Sequence, residues 1–312
     1  MSPFRVLVLR ALGLGDLLTA VPALRALRAA YPSAAVTLAT PAALEPLALL
    51  TGAVDEVAAT AALAELDPAL AGAELAVNLH GRGPESTRLL AATAPRRLIA
   101  FESEPPQRGE APLGPSAPAW RADEHEVRRW CRLLVESGIP ADRTDLDLSP
   151  PPVSSPAAGA VVLHPGAASE SRRWPVQRWA EVARGLTAAG RSVVVTGARG
   201  EGALAAEVLE RAGLPADRSL AGRTGLLELA ALVAEASAVV CGDTGLAHLA
   251  TAYRTPSVLL FGPTPPELWG PPAGRPQHAV LWTGRTGDPH GRTPDPGLLE
   301  ISVDSVLTAL GF

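Results

Sequence analysis

The 312-residue sequence contains no lysine: all 27 basic residues are arginine, set against 32 aspartates and glutamates for a formal net charge of -5. The arginines form no basic stripe, which argues against nucleic acid as a partner. Cysteine is nearly absent as well. Cys131 and Cys241 stand alone, in no C-x-x-C or Cys/His spacing, which excludes a disulfide framework and a zinc site and leaves both as core residues. No metal-ligand cluster can be read, so neither a metal nor another cofactor is expected. No apolar run approaches the length of about 18 residues needed for a spanning helix, and no charged segment followed by an apolar stretch opens the chain. The expectation is a cytoplasmic protein without a membrane span or signal peptide.

What the chain does have is 47% hydrophobic residues, enough for a large core, and a length that favours two medium domains over one. Apolar β-rich runs alternate with Gly or Pro turns and helical periods, as in parallel α/β layers. Strands are predicted at 4–10, 35–39, 74–80 and 96–101, with helices near 16–30, 42–50, 84–93 and 123–137. The stretch SPPPVSSPAAG, residues 149–159, interrupts every period with four prolines and reads as a linker. The rhythm restarts with buried parallel strands at 160–164, 191–197, 236–242 and 256–262. The fold class expected is α/β with two doubly wound, Rossmann-like domains facing across a cleft, 1–150 and 160–312, joined by linker 151–159. Ligands in such sheets sit beyond the carboxyl ends of strands.

Three strand-turn-helix stretches could carry chemistry. In ALGLGDLL, Gly13 and Gly15 meet the first half of a G-x-G-x-x-G fingerprint, but Leu18 stands in the third place and no acid follows the second strand, so a dinucleotide cradle is disfavoured. Asp16 then remains, at the mouth of a helix. It can serve as an N-cap or as a general base, and the two are compatible. In LHPGAASESRRWP, residues 163–175, backbone amides, a helix start and Arg172 or Arg173 suit an anion, while surface charge and a packing role for Trp174 are the plainer readings. In CGDTGLAHLA, residues 241–250, Asp243 and Thr244 can cap a helix, Gly245 admits a ligand to the backbone, and His248 lies one turn on. A single Asp-Thr-Gly in an α/β pattern does not make an aspartic protease.

GLGD followed by PALRAL, HPGA with RRWP, and GDTGLAH followed by FGPTPP, in that order over about residues 5–310, resemble glycosyltransferase family 9, the heptosyltransferase family. The resemblance implies a GT-B fold and an inverting transfer of heptose or a related hexose from a nucleotide-diphosphate donor, with ADP expected. It further implies Asp16 as catalytic base. Arg172 stands where the family usually has lysine, with Thr244, Gly245 and Leu246 beside it at the donor diphosphate. Glu201, matched at the acid that holds the ribose, joins Asp243, His248, His164 and Gly166 at the donor nucleoside and sugar. The same resemblance implies closure of the domains and a C-terminal helix packed back on the first domain. Gly13, Gly15, His80 and Arg82, with Arg88, are the acceptor-side candidates; His80, Arg82 and Arg88 can equally be loop residues.

The sequence departs from the family pattern in charge. Residues 1–155 hold 14 Arg against 18 acids, and residues 101–126 hold 2 Arg against 6 acids, a net of -4 in each case. Such an acidic rim repels an anionic lipid and attracts a cation, which points to a soluble acceptor with amino groups, an amino sugar or aminocyclitol. Glu102, Glu104 and Asp123 are the residues singled out; the plainer reading is a solvated loop. A lipopolysaccharide-type or other cell-envelope glycan acceptor is the alternative, with peripheral membrane contact only if the acceptor is a lipid. A nucleotide-sugar-binding protein without turnover, a nicotinamide or flavin oxidoreductase and a sugar epimerase are the rivals of other classes. The segment GRTGDPHGRTPDPGLLEISV also lacks the cysteines that family members often carry there, which leaves its role open. Nothing in the sequence fixes the oligomeric state.

Overall fold

The apolar runs Val6–Leu9, Val161–Leu163 and Val239–Cys241 are almost fully buried, as β-branched and leucine-rich strands must be when helices cover both faces of a parallel sheet. The computed structural model describes residues 3–102 and 117–312 and divides into two compact units, Met1–Ser149 and Pro150–Phe312. Each unit is built around one such sheet.

The first unit runs β1 (Arg5–Leu9), α1 (Leu14–Thr19), α2 (Val21–Ala30), β2 (Ala35–Thr40), α3 (Glu45–Leu50), β3 (Glu56–Ala59), β4 (Leu75–Asn78), α4 (Glu85–Ala91), β5 (Leu98–Ile99) and α5 (Glu126–Glu136). The second runs β6 (Val161–His164), α6 (Val176–Ala188), β7 (Val193–Val195), α7 (Gly202–Ala212), α8 (Leu226–Ala234), β8 (Ala238–Gly242), α9 (Gly245–Ala252), β9 (Ser257–Leu260), α10 (Pro266–Trp269), β10 (His278–Leu281), α11 (Pro296–Glu300) and α12 (Val303–Ala309).

Among the described residues each sheet has five strands, all parallel, in the orders β3-β2-β1-β4-β5 and β10-β9-β8-β6-β7. In both, the chain lays strands outward on one side of the first strand and then returns to its other side. The strand order therefore reverses between β1 and β4 in the first unit and between β6 and β8 in the second. Register is set at those seams by Leu9 against Asn78 and by His164 against Cys241. A crevice opens at such a reversal because successive crossovers leave on opposite faces.

Helix α5 shows how sequence spacing fixes packing. Val127, Trp130, Cys131 and Leu134 are buried at intervals of three and four, which makes one apolar stripe; Val127 and Cys131 cluster with Leu146, Trp130 meets Phe101 and Trp120, and the helix packs beside α2. Burial pushes the Cys131 thiol up to about 12 and raises that of Cys241 as well, so both are packing groups. Trp174 also has the plainer role. It meets Trp179 edge-on at 5.4 Å and donates from Nε1 to Ile301 O at 3.2 Å.

Helix α12 packs on α6 of its own unit. Val306 joins the second core, and Leu307 closes on Gly185, where an added Cβ would stand 3.1 Å from it. The physical reason is the bare α6 surface at Gly185, into which a leucine fits.

Candidate active site

In the first unit, the loops after β1 and β4 meet at the strand-order reversal. Gly13 is extended at the start of α1, so the cap position falls on it and Asp16 is the third helical residue, not the N-cap. Asp16 Oδ2 reaches back to accept from the Gly13 amide at 3.1 Å, the acidic half of a capping box. Gly15 lies inside the first turn of α1 and not in the loop. The side chain of Asp16 keeps 27% of its exposure, so it is held and yet reachable by a small molecule.

Beside it sits Arg10, whose side chain is 1% exposed. Its Nε donates to Asp16 O at 2.6 Å, its Nη1 to Leu79 O, and its Nη2 to Thr19 Oγ1 at 3.1 Å and Glu126 Oε1 at 3.0 Å. The guanidinium also stands 3.5 Å from Asp16 Oδ1 and stacks over Trp130 at 4.7 Å. Next to Leu79, the His80 Nδ1 accepts from the Ala11 amide at 3.2 Å, and the His80 amide donates to Asn78 Oδ1 at 3.0 Å. Burial and the Arg10 charge hold the imidazole below the usual histidine range, against the pull of Asp16. With Nδ1 an acceptor, the proton of the neutral ring is on Nε2. Arg82 and Arg88, further along, are exposed.

In the second unit the loops after β6 and β8 meet in the same way. Arg172 closes a short helical turn, Glu170–Arg172, and its Nη1 donates to Asp243 O at 3.2 Å, with Asp243 Oδ2 at 3.7 Å. Arg173 is turned into its own loop, Nε donating to Ala167 O at 3.1 Å and Nη1 pairing with Glu170. Of the two arginines, Arg172 is the one that lies beside the β8 loop. Thr244 is the cap residue of α9 but makes no side-chain cap bond, contrary to the capping role open to it. Gly245 and Leu246 open that helix, and their amides lack acceptors within it, while the Leu246 side chain is core.

Glu201 Oε2 accepts from the Ala198 amide at 2.7 Å. Its carboxylate lies directly over Gly166, where an added Cβ would fall 2.1 Å from Oε1, so any side chain there would displace the carboxylate. Burial holds the His164 imidazole below the usual histidine range, against the opposing pull of the Glu201 carboxylate. His164, Gly166 and Glu201 are thus gathered into one cluster.

Among the described residues, nine buried polar side-chain atoms find no partner, and four of them lie at this seam: His164 Nδ1, Ser171 Oγ and Arg172 Nε have none, and Thr244 Oγ1 has no nitrogen or oxygen partner. Buried polar atoms are almost always satisfied, so a cluster of orphans from two adjoining loops marks where a polar ligand would complete the site. The segment 284–303 borders the cluster: Ser171 N donates to Gly291 O at 3.2 Å and Asp295 N to Ser171 O at 3.1 Å.

His248 stands edge-on to Trp269 of α10, centroids 5.9 Å apart. Trp269 was not identified from sequence, where ELWG after a proline turn carries no periodic signal. Among the described residues no group of three or more His, Cys, Asp or Glu is placed to hold a metal ion, and no helix is long and apolar enough to cross a membrane.

Residues 117–290 match the family described as Glycosyltransferase family 9 (heptosyltransferase). Lipopolysaccharide heptosyltransferase 2 of Escherichia coli (strain K12) is 34% identical over 125 residues, 38% of this chain and 36% of the relative. Lipopolysaccharide heptosyltransferase 1 of Pseudomonas aeruginosa is 34% identical over 163 residues, 49% of this chain and 43% of the relative. In such alignments the chain spans about a third of the length of the curated relatives it matches. The structure of E. coli ADP-heptose lps heptosyltransferase II superposes with a TM-score of 0.78 at 24% identity, covering 98% of this chain and 97% of the other. E. coli heptosyltransferase WaaC with ADP gives 0.74 at 20%, covering 98% and 99%. These structural likenesses establish the fold, two parallel-sheet α/β units of GT-B type.

Proposed function

Because the chain belongs to glycosyltransferase family 9, we propose that it transfers a sugar from a nucleoside-diphosphate donor to an acceptor hydroxyl, with ADP-heptose as the donor. The observation that carries this reading is the cluster of unpartnered buried polar atoms at the β6/β8 seam. A diphosphate supplies the acceptor oxygens that Arg172 Nε, the Thr244 hydroxyl and the first amides of α9 lack. Glu201, beside Gly166 and His164, is offered to ribose hydroxyls, and Asp243 and His248 to the donor sugar.

The reaction is a single displacement. Asp16 accepts the proton of the acceptor hydroxyl, the oxygen forms a bond to the anomeric carbon, and the bond from that carbon to the diphosphate breaks, its electron pair leaving with the nucleoside diphosphate. The configuration inverts. A loose, cation-like carbon asks little covalent chemistry of the protein. Positioning and fixed positive groups on the leaving phosphates do the work, each such group contributing on the order of 3 kcal/mol.

The acceptor we propose carries amino groups. In the acidic stretch 101–126, Glu124 is consumed by Arg132 at 2.8 Å and Glu126 by Arg10 and Arg129, which leaves Glu102 and Asp123 exposed; Glu104 lies outside the described residues. Neutralising Glu102, Glu104 and Asp123 together should raise the acceptor KM, and an unchanged KM returns the acceptor to the anionic cell-envelope class.

The donor reading is tested by thermal shift against ADP, GDP, UDP and TDP, since a ligand that binds the folded state raises its midpoint by mass action. ADP should give the largest shift; no shift with any of the four refutes the reading. Asp16→Asn should abolish transfer and leave the ADP shift intact. Loss of the shift would place the GLGD loop at the nucleotide.

A further inference from the structure

We propose that Arg10 is the positioning residue for Asp16, an inference that rests on Asp16 being the base of the transfer. A guanidinium this deeply buried is costly to desolvate and is kept only where its hydrogen bonds are all used. Here every nitrogen of the fork is engaged, and the partners come from three elements: Asp16 and Thr19 of α1, Leu79 just past the end of β4, and Glu126 of α5.

The geometry restrains Asp16 twice. Nε holds its backbone carbonyl at 2.6 Å, and Nη2 faces its Oδ1 at 3.5 Å while Oδ2 is taken by the Gly13 amide at 3.1 Å. Thr19 Oγ1, itself on Arg10, donates to the same Asp16 carbonyl at 2.9 Å. The carboxylate is thus fixed between a backbone amide on one oxygen and a buried cation on the other.

The cation is in turn fixed. Trp130 supports it from one face, and Glu126 is oriented by Trp130 Nε1 at 2.9 Å and by Arg129. The bond to Leu79 O adds the residue that precedes His80, so the ends of β1 and β4 and the first turn of α1 share one guanidinium. A capping bond alone, of the kind Asp16 makes with Gly13, leaves a first-turn side chain free to exchange with water. The buried fork does not.

The test compares Arg10→Met, Arg10→Lys and Thr19→Val with the wild type and with Asp16→Asn, using ADP-heptose and the acceptor that supports wild-type turnover, with ADP binding by calorimetry and the folded fraction measured for each. A misplaced catalytic group costs on the order of a hundredfold. We expect Arg10→Met to lower kcat per folded molecule by about that factor, with the ADP dissociation constant and the donor KM within about twofold of wild type. Arg10→Lys should recover part of the loss, because lysine restores the charge but not the fork. Thr19→Val should lower kcat by a smaller factor and leave KM in place, and it decides the matter if Arg10→Met does not fold. A purely structural role would lower the folded fraction and leave kcat per folded molecule alone; that result overturns the proposal. Transfer retained by Asp16→Asn overturns the reading of Asp16 itself. Asp16→Asn inactive with Arg10→Met and Thr19→Val at wild-type kcat removes Arg10 only.

Discussion

Replacing Gly166 by alanine tests how Glu201 is held and what it holds. The added Cβ falls 2.1 Å from Glu201 Oε1, 2.2 Å from Cδ and 2.3 Å from Oε2, far inside any allowed contact, so the carboxylate must leave. It is the end of a flexible side chain and can swing out, at the cost of its bond from the Ala198 amide at 2.7 Å. That bond is charge-assisted but exposed, and its loss costs about 1–2 kcal/mol. In a folding unit of about 160 residues this lowers Tm by about 3–6 °C. If the carboxylate grips the ribose, its departure also weakens ADP by about tenfold, which is about 1.4 kcal/mol. Calorimetry with ADP and with its 2′-deoxy analogue, alongside thermal melts, reads both effects, and the preference for the ribo form should narrow. The decisive control is Glu201→Ala. With the clashing atoms gone, Gly166→Ala should be nearly neutral in that background. An equal cost in both backgrounds would refute the steric reasoning.

Arg172→Met should weaken ADP binding by about a hundredfold, from the loss of about 3 kcal/mol of charge on the diphosphate, with the melting temperature of the ligand-free protein little changed; wild-type affinity by calorimetry would remove Arg172 from the site. His278 makes stability depend on pH. Burial lowers its pKa from 6.5 to about 4, so between those values the unfolded chain binds the proton and the folded one resists it. Its contribution is therefore complete above about pH 6.5 and is lost as the pH falls toward about 4, by about 1–2 kcal/mol. His278→Asn should flatten that limb of the urea-denaturation profile; an unchanged limb would assign it to other groups.

The buried strands were legible because their apolar runs are nearly continuous, and the parallel architecture follows from their alternation with helices. β3 and β10 were missed for the opposite reason. Glu56–Ala59 is at most half-buried along its length, and in His278–Leu281 only the first residue is buried; both lie at sheet edges, where nothing requires a β-branched apolar run. The long first helix of the sequence is broken into α1 and α2 at Ala20, just before Pro22, which can lead a helix but cannot continue one. At the site, Asp16, Arg172 and the GDTG loop could be placed because each follows a strand. Arg10 could not. It follows the apolar run Val6–Leu9 at the end of the predicted strand, and only the topology, by bringing β4 and α5 alongside, supplies the partners that make a buried arginine tolerable.

Local geometry alone does not identify the base. Asp16, Glu201 and Glu228 all make the same bond, a carboxylate at the third position of a helix, or for Glu201 of the short helical turn Arg199–Glu201, accepting from the amide three residues before it, at 3.1, 2.7 and 2.7 Å. Each bond is explained by capping, and a search for helix-mouth acids returns all three without ranking them. What separates them is the second constraint. Glu201 is pressed onto Gly166 and shares the field of His164, which ties it to the orphaned polar atoms of the β6/β8 seam. Asp16 alone of the three faces a fully engaged buried cation, at the other unit's strand-order reversal. An acid that only caps a helix needs no such cation, because the amide already favours its charged form. The desolvation of Arg10 is justified physically if what it secures is the position of the carboxylate in addition to the start of α1, and this is why a base at Asp16 and a positioning role for Arg10 are argued together.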